Sequence, residues 1–237
     1  PEDRAPNGLG VAVRSCLALA VDRVCDYQNT GCSWNPSGSA LPHLFTRQAL
    51  PIIWDYGEAN PLASSSGSWA GAVEHVVRGL RNAQVDNHSA DVGMASASHH
   101  PLPTDCAHIL ITDPPYYDAI PYADLSDFFL VWLRHMLAGT LPNMFPTVLS
   151  PKTDELVADS KRHHGKENAA KFFEEGMREV FRRIREVHSR EYPMTVYYAF
   201  KTTENAGAGG ESTGWETFLQ ALVDSGWAIT GTWPIRT

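Results

Sequence analysis

His108-Ile109-Leu110-Ile111-Thr112-Asp113-Pro114-Pro115-Tyr116 is the stretch from which the fold can be read. Its first five residues make a compact apolar strand, and the two prolines end it. Proline holds its predecessor extended, so Asp113 and Pro114 are both extended, and neither proline has an N–H to offer a sheet. Working outward, short strands alternate with helices. A weak strand is expected at 91–97. Beyond the motif, a helix at 125–137 would bury Leu125, Phe128, Phe129, Trp132, Leu133 and Met136. A polar loop at 150–167 leads to a long helix at 168–190 striped by Phe173, Met177, Val180, Phe181, Ile184 and Val187. A strand at 194–200, a helix at 215–225 and a closing strand at 227–235 complete the pattern. Such alternation predicts an α/β fold, a largely parallel twisted sheet with helices on both faces.

Upstream the pattern is different. Residues 9–28 read as an amphipathic helix ending before Asn29-Thr30-Gly31, and 32–67 are crowded with Pro, Gly, Asn and Ser. Ser68 is placed to cap a helix over 69–84 with Ala72, Val73, Val76, Val77 and Leu80 on one stripe. We therefore expect a helical and irregular extension at 1–87 packed on a catalytic core at 88–237.

With 237 residues, 43% hydrophobic and 10% aromatic, the chain can bury a sizeable core, which excludes disordered and fibrous classes. A net charge of −8 argues against nucleic-acid binding through overall basicity and leaves room only for a local basic patch. Apolar runs such as 16–21 and 128–133 are far shorter than the roughly 20 residues of a membrane span, so no membrane partner is expected. The cysteines Cys16, Cys25, Cys32 and Cys106 form no C-x-x-C pair, and the N-terminus has no signal-peptide pattern. A reducing, cytoplasmic setting is expected. The chain opens at Pro1 and stops at Thr237 directly after an expected strand, which reads as a fragment.

In open sheets of this kind ligands sit beyond the carboxyl ends of the strands, where Asp113-Pro114-Pro115-Tyr116 falls. The Asp113 carboxylate beside the Pro114 carbonyl is a pure acceptor site, suited to an exocyclic amine that offers two hydrogens. An aromatic amine such as N6 of adenine is a poor nucleophile because its lone pair is delocalised into the ring. Accepting both hydrogens tips the nitrogen toward tetrahedral geometry and aims the lone pair at an electrophilic methyl group. Alignment of this kind contributes several kcal/mol, up to roughly 7–11 in ideal cases, with no covalent nucleophile or metal. A target base must leave the duplex stack to reach such a pocket, and the flat face of Tyr116 recovers part of the unstacking cost.

Ile111-Thr112-Asp113-Pro114-Pro115-Tyr116-Tyr117-Asp118, continuing Ala119-Ile120-Pro121-Tyr122-Ala123-Asp124-Leu125-Ser126-Asp127-Phe128-Phe129, closely resembles the catalytic part of a family of adenine-specific DNA methylases. That family carries a domain of unknown function at its N-terminus and often a zinc ribbon. The resemblance extends to Arg47-Gln48-Ala49-Leu50-Pro51, Trp54-Asp55-Tyr56, Ser66-Gly67-Ser68-Trp69, Tyr197-Tyr198-Ala199-Phe200-Lys201 and Thr232-Trp233-Pro234-Ile235-Arg236. It implies an S-adenosylmethionine-dependent amino-methyltransferase with a Rossmann-like sheet, in which Asp113, Pro114, Pro115 and Tyr116 are the catalytic motif. The family's glycine-rich loop for the methionine part of the cofactor has no counterpart here beyond Gly67 and 64–68. The resemblance thus implies an incomplete sheet, with that loop supplied from upstream in the same protein. Cys25 and Cys32 lack a partner pair, so no structural zinc is expected.

Around the motif, Tyr117, Asp118 and Tyr122 are candidate pocket residues. Ser96 and Ser98 are candidate contacts to the adenine ring of the cofactor, with Asp113 on the same side. Residues 151–190 hold ten of the nineteen Lys+Arg, and the loop with Lys161, Arg162, His163, His164 and Lys166 is the candidate phosphate contact. On the helix that follows, interleaved Glu174, Glu175, Glu179 and Glu186 suggest a solvated face. His88, His99, His100 and His108 have no metal-ligand spacing, and no metal is expected. The residues leave three readings open beside DNA adenine: cytosine N4, an RNA base, or a non-catalytic nucleic-acid-binding fragment lacking its cofactor loop.

Overall fold

The computed structural model describes residues 8–83, 92–117, 120–199 and 213–235. Its elements run α1 (Leu9–Tyr27), α2 (Trp69–Asn82), β1 (Ile111–Thr112), α3 (Tyr122–Leu137), a single 3-10 turn at Pro142–Met144, α4 (Lys166–Val187), β2 (Thr195–Val196) and α5 (Thr213–Asp224). They fall into two compact units. One comprises Pro1–Val92 with Tyr122–Thr153, the other Gly93–Pro121 with Asp154–Thr237. Helix α3 thus belongs to the first unit although its sequence lies inside the span read as the catalytic core. Among the described residues no helix is long and apolar enough to cross a membrane.

In the first unit, α1 packs against both α2 and α3, burying Ala18 and Ala20 of α1, Ala72 of α2, and Ala123 and Leu137 of α3. Small residues at these contacts let the helix axes approach closely. Helix α2 starts where Ser68 predicts: the Ser68 hydroxyl accepts from the Gly71 N–H at 3.2 Å, satisfying one of the orphan donors at a helix start. Ser68→Ala should therefore cost about 1 kcal/mol, read as a lower midpoint in thermal unfolding. The irregular segment between α1 and α2 is tied down by Asp26, whose Oδ1 accepts from the Leu44 N–H at 3.2 Å while Oδ2 meets His43. Gly67 adopts a left-handed φ of 77°, and a Cβ there would press on Tyr27, so this glycine serves the packing of the turn on α1. On α3, burial pushes the Asp127 carboxyl up. The Lys152 ammonium at 2.6 Å and the Ser150 amide more than offset this and hold it below its ordinary value.

Asp22 of α1 is the exception in this unit. It is only 8% exposed, its Oδ1 has no hydrogen-bond partner, and burial pushes its carboxyl up from 3.8 to about 7. The fold therefore favours the protonated form. Between the two values the native chain keeps a proton that the unfolded chain has released, so stability declines as pH rises through this window. The decline is at most about 1.4 kcal/mol per pH unit. Asp22→Asn should abolish this slope and make the protein more stable than the wild type at pH 8, as measured by urea unfolding at pH 5 and pH 8.

The second unit is built on α4. Phe173, Met177, Val180, Phe181 and Ile184 form one buried stripe against Phe218, Ala221 and Leu222 of α5, with Leu110 and Val196 packed alongside. β1 and β2 pair in parallel, Ile111 opposite Thr195 and Thr112 opposite Val196. Helix α4 runs back between them. Its C-terminal end meets the approach to β1, where Asp105 and Ala107 donate N–H groups to the carbonyls of Glu186 and Val187. The parallel α/β arrangement agrees with the sequence, but the sheet has two strands among the described residues. Three expectations are corrected. Described residues 92–96 form no strand; at their end Ser96 hydrogen-bonds Ser98 across a turn, which competes with a ladder. Of the strands expected at 108–112 and 194–200, the described residues 108–112 and 194–199 form two strand residues each, Phe200 lying outside the described residues. Residues 227–235 form no strand either: Trp233 and Ile235 are 81% and 70% exposed, and Pro234 has no N–H to give.

Candidate active site

β1 stops at Thr112, and 113–116 continue past the carboxyl end of the strand with no regular secondary structure. Asp113 is exposed, whereas Pro114, Pro115 and Tyr116 are half-buried. Asp113 and Pro114 are adjacent in the chain just past the strand end, so a carboxylate and a carbonyl acceptor follow one another there, and neither Pro114 nor Pro115 has an N–H. The next strand supplies the wall. The register that sets Thr112 opposite Val196 carries forward to bring Tyr198 alongside the motif, its ring edge-on to Tyr116 with centroids 6.4 Å apart at 80°. Tyr198 in turn stacks on Phe218 of α5 at 4.1 Å and 9°, with Trp215 at 6.0 Å. The Tyr116 ring is therefore buttressed by an aromatic column rooted in the core, a preorganised flat surface rather than a free side chain.

Tyr117 anchors the motif on its other side. Its ring meets Phe173 edge-on at 5.0 Å, and its carbonyl accepts the Ala158 N–H at 2.6 Å. That bond docks the loop preceding α4 onto the residue following the motif. A Cβ on Gly214 at the start of α5 would come within 2.9 Å of Tyr117, so the close approach of helix and motif depends on this glycine. Asp118 lies outside the described residues. Tyr122 is the first residue of α3 and belongs to the first unit.

The basic loop divides into two kinds of cation. Arg162 is only 18% exposed in its side chain, and its guanidinium meets Glu155 and, at 3.5 Å, Asp159. Asp159 also accepts the N–H groups of Lys161 and Arg162 through Oδ1. Arg162 holds the loop together, while Lys161 and Lys166 are exposed. His163 stacks on Phe172 at 4.0 Å, fixing the loop to the first turns of α4. Ser96 and Ser98 share a hydroxyl–hydroxyl bond of 2.9 Å, and Ser98 also reaches His99 Nδ1 at 2.7 Å. His99 lies 3.6 Å from Glu179, midway along α4. These serines are thus organised by their own turn and by α4. Among the described residues no three His, Cys, Asp or Glu side chains cluster as a metal site.

No family model, curated protein or solved structure matches this chain. The chemistry of the site therefore rests on its own residues. What sequence reasoning missed is Tyr198 as the partner of Tyr116 and Ala158 as the partner of Tyr117. The signal for the first was present: Tyr198 follows the β2 residues at a spacing that puts it on the Val196 face, next to the strand carrying the motif.

Proposed function

We propose that this chain is the catalytic portion of an S-adenosylmethionine-dependent amino-methyltransferase with a Rossmann-like sheet, acting on adenine N6 in DNA. The observation that carries this reading is an exposed Asp113, followed by Pro114, just past the carboxyl end of a parallel strand, with the Tyr116 ring edge-on to Tyr198. The two acceptors take the two hydrogens of the exocyclic amine, which localises its lone pair and directs it away from the strand end. Tyr116 stacks on the unpaired base and sets the plane in which the amine is presented. Preference for adenine rests on the resemblance of the motif to adenine-specific enzymes.

The described residues suit the target amine better than the cofactor. Gly67 is committed to packing on Tyr27, and Ser96 and Ser98 to their own turn, so no glycine loop for the methionine group is present among them. We place that loop upstream in the same protein. Calorimetric titration with S-adenosylmethionine should then show binding by a chain extended upstream and none by residues 1–237 alone. Absence of binding in both would contradict the cofactor assignment.

Lys161, exposed on the loop docked to Tyr117, and Lys166, exposed at the start of α4, are the phosphate contacts of this reading. Lys161→Ala with Lys166→Ala should make the slope of log affinity for DNA against log salt shallower by about 2, measured by fluorescence anisotropy. Arg162→Ala should act differently, loosening the loop through the loss of its Glu155 and Asp159 pairs.

A further inference from the structure

The cations of α4 sort into those already paired and those left over. Arg178 pairs with Glu174 and Asp224, and Arg183 with Glu186 while also donating to the carbonyls of His100 and Leu102. Arg182, Arg185 and Arg190 instead line one open cavity of about 610 Å³ at the C-terminal end of α4, together with Thr104, Asp105 and Ser189. Among the described residues Arg182 and Arg190 have no carboxylate partner, and Glu186, which also lines the cavity, is engaged by Arg183. Asp105 is left as the single unengaged anion against three guanidiniums.

Two features show that the cavity wall is held in place. Asp105 has a left-handed φ of 54°, unusual for a residue with a side chain, and its N–H is bonded to the Glu186 carbonyl. Gly226, with φ 83°, lies directly under the Arg185 guanidinium, whose Nη1 is 3.4 Å from the Ser225 carbonyl. Any Cβ at Gly226 would collide with that guanidinium.

We infer that this cavity binds a phosphate group. In a chain of net charge −8, three arginines lining one concave surface can match phosphate oxygens through forked N–H donors, and Thr104 and Ser189 on the same lining carry hydroxyl donors. The site is separate from the motif, because 104–107 precede β1 and Asp113 follows it. The phosphate is either free and small or part of a nucleic-acid backbone.

The test titrates the full chain with inorganic pyrophosphate by calorimetry and with a short duplex DNA by anisotropy across a salt series. Arg182→Gln with Arg190→Gln should weaken the ligand of this site about tenfold. Weakened pyrophosphate binding with DNA binding intact identifies a free phosphate. Weakened DNA binding, with a salt slope shallower by about 2, identifies the backbone. Arg182→Lys with Arg190→Lys, which keeps the charge and removes the fork, should fall between wild type and the Gln pair. Both variants carry exposed substitutions, and their thermal midpoints should match the wild type. Unchanged binding of both probes in the Gln pair would overturn the inference.

Discussion

Asp113→Ala is expected to lower the rate of methyl transfer about 100- to 1000-fold with little change in cofactor affinity, the loss typical of removing one preorganised hydrogen-bonding group from a reacting centre. The reasoning is geometric. Asp113 is exposed just past the end of β1, and in the proposed reading the Pro114 carbonyl would accept only one of the two amine hydrogens. Without the carboxylate the amine nitrogen stays planar and its lone pair stays in the ring. Asp113→Asn offers a sharper comparison, since its amide oxygen still accepts one hydrogen while its NH2 group faces the amine with donors. Activity should fall in the order Asp, Asn, Ala. Single-turnover kinetics on a chain extended upstream separates this from an effect on binding. An Ala variant as fast as the wild type would remove Asp113 from the chemistry.

Phe173→Ala should be the most damaging single change to the second unit, costing about 3–5 kcal/mol. Phe173 is fully buried, at the centre of the stripe by which α4 packs on α5, and its ring also meets Tyr117. Truncation removes a large apolar surface and leaves a cavity under Tyr117, the residue that follows the motif. Urea unfolding followed by fluorescence of Trp215 and Trp227, both packed against this core, measures the loss. Because the cavity opens next to Tyr117, methyl transfer should decline even under conditions where the variant stays folded. A loss below about 1 kcal/mol would mean that α4 and α5 are held mainly by other contacts.

How much of this was legible in the sequence depends on the range of the interaction involved. The stripe Phe173, Met177, Val180, Phe181, Ile184 and Val187 is buried along its whole length, because helical periodicity is a local property. Ser68 caps α2 for the same reason. Strands depend on partners, and periodicity cannot supply them: Ile109 and Ile111, read as core strand residues, are 71% and 67% exposed. At the site, two consecutive prolines fixed the strand end at Asp113 from sequence alone. Pairings between distant segments, Tyr116 with Tyr198 and Ala158 with Tyr117, required the fold. The pairing of Arg162 with Glu155 is closer in sequence, but loop residues have no period from which to read which side chains meet. The same holds for the grouping of α3 with the first unit, which no local pattern announces.

The central claim is the reaction itself. The most direct measurement incubates a chain extended upstream with S-adenosylmethionine and unmethylated DNA, then digests the DNA to nucleosides for mass spectrometry, with Asp113→Ala in parallel. N6-methyladenine is the expected product, formed about 100- to 1000-fold more slowly in the Asp113→Ala reaction. DNA left unmethylated by a chain that binds the cofactor, or equal product from both proteins, would contradict the assignment of Asp113 and Pro114 as the acceptors of a target amine.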